Sequence, residues 1–80
     1  MKARVLLFGP LAEALSAEWV HVEVAGSSLR EISEALQNDH PDLKPLIASC
    51  RWARNQHFVD LDETFGVADE LALIPPVAGG

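Results

Sequence analysis

Cysteine occurs once in the 80 residues, as Cys50, which excludes an intrachain disulfide and a cysteine-based metal cluster. Beside Ile47 and Trp52, that thiol reads as a small buried hydrophobe before it reads as a redox or nucleophilic group. His21, His40 and His57 are scattered without the spacing of metal ligands, and no metal site is expected. Basic residues are scarce too: six Lys and Arg stand against twelve Asp and Glu, a formal charge of −6. That balance repels the phosphates of nucleic acid and an anionic membrane surface, and favours basic protein partners. Long apolar runs are missing; stretches such as Val5 to Phe8 and Leu71 to Ile74 fall far short of the ~20 residues that cross a bilayer. The N-terminus lacks the apolar region of a signal peptide, and a cytoplasmic location is expected.

What is present is the material of one small globular domain. Hydrophobic residues make up 49% and charged residues 22%, unlike a disordered tail. A chain of this length buries only roughly 60–65% of the surface it exposes when unfolded, so its core is small.

Arg4-Val5-Leu6-Leu7-Phe8 is a short apolar run ended by Gly9-Pro10, and Trp19 to Val24 alternates β-branched with polar residues; both read as strands that pair. Leu11 to Glu18 is too long for a two-residue hairpin loop and reads as a loose or partly helical connection. Ser28 and Glu31 have capping-box spacing. Leu29, Ile32 and Leu36, helped by Ala35, share one helical face, which should cover a sheet. His40-Pro41 stops this helix near Asn38 or Asp39, and a short helical turn is expected at Leu43 to Ser49. Trp52 to Val59 reads as a strand that bends or turns at Asn55-Gln56. Asp60 to Gly66 and Asp69-Glu70 are turns. Leu71-Ala72-Leu73-Ile74 reads as a strand buried between neighbours. The order strand, strand, helix, strands gives an α+β domain, a sheet with its helix on one face.

The ending concentrates the functional signal. After Ile74 come Pro75-Pro76-Val77-Ala78-Gly79-Gly80. The prolines lack amide donors and cannot extend a central ladder, so the chain should leave the sheet in an extended path. From Pro76 to Gly80 it spans on the order of 15 Å, at about 3.3–3.6 Å per residue. Gly79 and Gly80 carry no side chains and can thread a narrow channel. Nothing then shields the terminal carboxylate, which adenylation would convert to an anhydride open to sulfur or nitrogen nucleophiles. The plainer alternative is an inert, frayed terminus. The division expected is a domain over 1–75 and a diglycine tail over 76–80.

Asp69-Glu70-Leu71-Ala72-Leu73-Ile74-Pro75-Pro76-Val77-Ala78-Gly79-Gly80 resembles the C-terminal signature DEVAFxPPVxGG of the molybdopterin synthase small subunits, ubiquitin-like sulfur carriers of the MoaD/ThiS family. Val5-Leu6-Leu7-Phe8 resembles the family's opening strand, and Ala53-Arg54-Asn55-Gln56 its Ala-Val-Asn-Gln segment. Two departures stand out: Ala12-Glu13 replaces a frequent Arg-Glu after the first strand, and Val67-Ala68 precedes Asp69-Glu70 where the family often has Asp-Gly. The first would alter a partner contact and the second the geometry of a turn.

The resemblance implies a ubiquitin-like β-grasp fold: a mixed sheet, one main helix on one face, and an extended C-terminal tail. It implies that an E1-like enzyme adenylates Gly80 with ATP and that a sulfur donor, such as a cysteine desulfurase or rhodanese-like protein, turns it into a thiocarboxylate. The tail then enters the large subunit of molybdopterin synthase, in a heterotetramer, and gives sulfur to a cyclic pyranopterin phosphate for the molybdenum cofactor. No cofactor is held permanently. The chain itself would be a non-catalytic sulfur donor, with the active site in the large subunit, since its side chains form no recognisable triad or metal motif.

On this reading Gly80 is the attachment point, Gly79 lets the tail thread, Pro75 and Pro76 direct its exit, and Pro76, Val77 and Ala78 lie along the partner's channel. Phe8, Phe58 and Leu73 are candidates for an apolar docking face, the alternative being that all three are core. Trp19 and Trp52 read as core or half-buried packing residues. Asp60, Asp62, Glu63, Asp69 and Glu70 read as a solvated face, with contact to a basic partner as the alternative. Three other functions fit a Gly-Gly ending: a sulfur carrier for thiazole or another thio-product, a ubiquitin-like modifier of lysines, and a binding module with an inert tail.

Overall fold

The computed structural model describes residues 1–76. The apolar runs become β1 (Lys2–Leu7), β2 (Trp19–Glu23), β3 (Arg51–Arg54), β4 (His57–Val59) and β5 (Leu71–Ile74). Between them lie α1 (Gly9–Leu15), α2 (Leu29–Asp39), a 3-10 turn (Pro41–Leu43) and α3 (Lys44–Ser49). One five-stranded mixed sheet has the order β2-β1-β5-β3-β4. β5 is central, parallel to β1 and antiparallel to β3, which accounts for its continuous apolar sequence.

Helix α2 begins as the capping spacing predicts. The Ser28 hydroxyl accepts the Glu31 amide at 3.2 Å. The Glu31 carboxylate reaches back past the usual capping-box partner to the Gly26 amide, at 2.9 Å. Leu29, Ile32 and Leu36 are buried on one face, each side chain stabilising the fold by about 1.5–3 kcal/mol on burial. The helix ends at Asp39, with the His40 amide still bonded to the Leu36 carbonyl. Across from it the sheet contributes Ala3, Val5, Leu7, Val22, Trp52, Leu71 and Leu73 to the core.

The connection after β1 is more ordered than its sequence suggests. It is helical over Gly9–Leu15, with Pro10 in the first turn, where its missing amide costs nothing, and no side-chain cap at Phe8. Leu11 anchors it in the core and Ala12 packs at the core's margin, so the Ala12-Glu13 departure falls within a helix. The helix stops on Ser16 at φ 52° and ψ 42°, a left-handed conformation costing an L-residue roughly 1–2 kcal/mol. Ser16→Gly relieves that strain, offset by roughly 0.5–1 kcal/mol of backbone entropy. The expected net gain of about 0.5 kcal/mol would raise the melting temperature by about 2–4 °C in thermal unfolding; an unchanged or lower midpoint would contradict it.

The single run from Trp52 to Val59 divides into a hairpin. Asn55 and Gln56 lie at φ 53° and φ 71°, the positive values that a tight two-residue connection between twisted strands requires. Asn55 does more than turn the chain. Its backbone amide bonds the Glu70 carbonyl at 2.8 Å, its side-chain oxygen accepts the Glu70 amide at 2.9 Å, and its side-chain NH2 donates to Asp69 at 3.0 Å. Two of the three sequence segments quoted for the resemblance are thus clipped together at the entry to β5.

Candidate functional site

The side of the sheet away from α2 carries the candidate site. Successive strand residues point to opposite faces. Val5 and Leu7 therefore face the core while Leu6 faces out, and Leu71 and Leu73 face the core while Ala72 and Ile74 face out. Leu6, Phe8, Ala53, Phe58, Ala72 and Ile74 line an apolar groove of about 320 Å³, with Gln56 and Glu70 as its polar members. Phe8 is 48% and Phe58 55% exposed, large values for rings that bury well when given a partner.

Leu73 does not belong to this face. It is fully buried, opposite Leu7 on β1 and Trp52 on β3. The expectation that it docks with Phe8 and Phe58 is corrected by strand parity. Parity also identifies the residues that sequence reading missed: Leu6 shares the face of Phe8, and Ala72 and Ile74 take the face that Leu73 lacks.

The tail's departure point is set at the same end of the sheet. Beyond Ile74, Pro75 lies beside Gly9: a β-carbon added to Gly9 would stand 3.9 Å from the Pro75 ring, an ordinary contact. Glycine is needed there for its dihedral, φ 55°, not for space. Val77, Ala78, Gly79 and Gly80 lie outside the described residues.

Two arginines flank the groove. The Arg51 guanidinium sits 3.8 Å from the centre of the Phe58 ring, and that of Arg4 sits 4.7 Å from the centre of the Trp19 ring. Trp52 is core, as expected, but Trp19 is 42% exposed on the outward face of edge strand β2, where it also meets His21 edge-on at 4.9 Å.

The acidic residues divide by role. Arg54 ties Glu63 at 3.1 Å and the Thr64 carbonyl at 2.6 Å, and Arg30 meets Asp62 at 2.7 Å. These pairs fasten the loop before β5. Hydrogen bonds from the Asn55 side chain and then the Gly66 amide hold the Asp69 carboxyl below the usual carboxylate range. The Gly66–Asp69 turn closes through the Asp69 amide on the Gly66 carbonyl at 3.0 Å. Ala68 is not among the residues at positive φ, so the turn works without a glycine there. Cys50 is half-buried, its thiol donates to the Leu46 carbonyl at 3.2 Å, and burial pushes its pKa up, away from thiolate chemistry.

Five strands in this order, one main helix across one face, and a last described strand that runs from the middle of the sheet into a diproline define a ubiquitin-like β-grasp domain. The chain belongs to the ThiS family, whose model matches residues 5–80. It is 35% identical over 83 residues to the molybdopterin synthase sulfur carrier subunit of Mycobacterium tuberculosis, covering 100% of this chain and 99% of that one. It is also 35% identical over 83 residues to small archaeal modifier protein 1 of Haloferax volcanii, covering 92% and 95%. The crystal structure of the Haloferax protein superposes with a TM-score of 0.81 at 31% identity over 100% of both chains. A complex of subunits 1 and 2 of the molybdopterin-converting factor from Helicobacter pylori matches with a TM-score of 0.69 at 30% identity, again over 100% of both chains.

Proposed function

We propose that this chain is the sulfur-carrier subunit of a molybdopterin synthase, working in the cytoplasm. An E1-like enzyme joins the Gly80 carboxylate to AMP from ATP, releasing pyrophosphate. The outer sulfur of a persulfide on a cysteine desulfurase or rhodanese-like protein attacks the acyl carbon and expels AMP, and a second thiol then cleaves the resulting acyl disulfide, leaving a thiocarboxylate on Gly80 and a disulfide on the donor side. The tail, led by Pro75-Pro76 and narrowed by Gly79-Gly80, carries that sulfur into the large subunit and gives it to a cyclic pyranopterin phosphate. The groove framed by Phe8 and Phe58 docks on the partner.

The observation that carries this reading is the path of β5, which passes from the centre of the sheet through Ile74 directly into Pro75-Pro76 beside an exposed apolar groove. The full-length likeness to the mycobacterial carrier supports it, and so does the two-subunit Helicobacter assembly. The test is intact mass after incubation with ATP, the activating enzyme and a sulfur source, followed by alkylation and fragment mapping. Mapping separates sulfur on Gly80 from oxidation of Met1. An ATP-dependent alkylatable sulfur on Gly80 is expected; an unmodified Gly80 beside an active activating enzyme would reject the proposal.

The equal likeness to a Haloferax protein named a modifier favours one second reading, conjugation of Gly80 to lysines. Isopeptide-linked adducts in cell extracts, absent when Gly80 is deleted, would establish it.

A further inference from the structure

The open face of the sheet runs against the sign of the whole molecule. The chain carries −6, yet outward positions of the strands hold Lys2, Arg4 and Arg51 against Glu23, with Glu70 just before β5. Among the described residues the ion pairs are Met1 with Glu23, Arg30 with Asp62, and Arg54 with Glu63. Among the described residues, neither Arg4 nor Arg51 has a carboxylate within salt-bridge reach. Each is instead laid on an aromatic ring, Trp19 and Phe58 respectively.

That stacking fixes one face of each guanidinium and leaves its in-plane N–H donors available, the edge that takes a carboxylate in two parallel hydrogen bonds. Stacking also reduces the side-chain freedom that would otherwise be lost on association. The two groups stand on opposite sides of the groove and at opposite ends. Arg51 is paired with Ile74, where β5 ends, while the register Val5 to Leu71 puts Arg4 level with Glu70. Two strand spacings of about 4.8 Å and four residues of about 3.3 Å place their α-carbons roughly 16 Å apart.

We propose that the groove is read by a protein surface bearing an apolar ridge between two carboxylates, which pair with Arg4 and Arg51. This deepens the docking role proposed above and rests on it. A protein is favoured over a nucleic acid or anionic lipid on two counts. The centre between the arginines is apolar, and Glu70 in the groove, with the net charge of −6, repels a polyanion. Glu70 beside Arg4 also sets an alternation of sign that a uniformly charged surface cannot match, which gives specificity as well as attraction.

The test is calorimetric titration of the cognate molybdopterin synthase large subunit, and separately of the cognate activating enzyme, with the unaltered chain and with Arg4→Glu, Arg51→Glu, Arg51→Lys and Phe8→Ala. Each variant is first shown by thermal unfolding to be folded. Arg51→Glu is expected to weaken binding to at least one partner by about thirtyfold or more, with Arg51→Lys between it and the unaltered chain. The salt dependence of affinity should flatten in both reversals. If Phe8→Ala weakens binding while both reversals leave it unchanged, the docking role stands and the acidic-partner inference falls. If the unaltered chain binds neither protein, both fall. Arginine-dependent binding to single-stranded DNA or phosphatidylserine vesicles, with the proteins indifferent to the reversals, would also overturn it.

Discussion

A chain shortened by one residue, ending at Gly79, is expected to fold normally and to lose sulfur transfer by more than about a hundredfold. The loss follows from reach. On the proposed function, removing Gly80 withdraws the reacting carboxylate by about 3.5 Å along an extended path, and misplacement of a reacting group by even 1 Å can cost about a hundredfold. The same shortening would misplace the acyl carbon in both the activating enzyme and the large subunit, so the two losses compound. The fold should not notice, because every residue of the described core lies at or before Leu73. The checks are product formation in a reconstituted synthase and a melting curve within about 2 °C of the full chain. Undiminished product formation would remove Gly80 from the chemistry, and loss of the folded baseline would show that the end of the chain is structural.

Leu73→Ala should do the reverse, removing stability while leaving Gly79 and Gly80 unaltered. Leu73 is fully buried, sits on the central strand, and has Leu7 and Trp52 as its lateral neighbours. Truncating such a leucine loses its transfer free energy and leaves a cavity, about 2.7–5 kcal/mol together. That is a large part of the roughly 5–15 kcal/mol that holds a small domain folded. A fall of at least about 11 °C in the melting temperature is expected, with a matching drop in the urea midpoint at unchanged slope. Phe8→Ala, by contrast, removes a side chain that is already 48% exposed. It should cost about 1 kcal/mol or less and show its effect in partner affinity. Equal stability losses for the two would refute the division of the sheet into a core face and a docking face.

That division was only half legible in the sequence. Leu71 to Ile74 is apolar without interruption, and an uninterrupted run has no period from which to assign faces. From the sequence, Leu73 therefore stands between the docking face and the core, and the register against β1 and β3 puts it in the core. Trp19 is a different case, because Val20, Val22 and Val24 alternate with it and place it outward by their own burial. The residue type pulled the reading toward the core against the pattern. Ser28 and Glu31 were legible because capping is a local contact between side chains three residues apart. The sequence marks Asn55-Gln56 as a bend or turn within one strand without specifying a tight hairpin, since glutamine at positive φ is an uncommon signal. The clip from Asn55 to Asp69 and Glu70 joins positions distant in sequence, so propensity alone could not reveal it. The helix at Gly9 to Leu15 was obscured by a Gly-Pro start and the lack of a side-chain cap.

The central place of β5 also governs when the protein can come into being. Remove that strand and the sheet separates into two hairpins, β2-β1 and β3-β4, each marginal in water on its own. The pairing of β1 with β5 closes almost the whole length of the described chain, a non-local contact that forms late. A nascent chain must therefore be synthesised past Ile74 before its first strand finds its parallel neighbour. Chains interrupted earlier remain open to proteases and aggregation. Completion of the strand that leads into Pro75-Pro76 is thus a condition of folding, and the folded population is confined to molecules whose synthesis has passed β5.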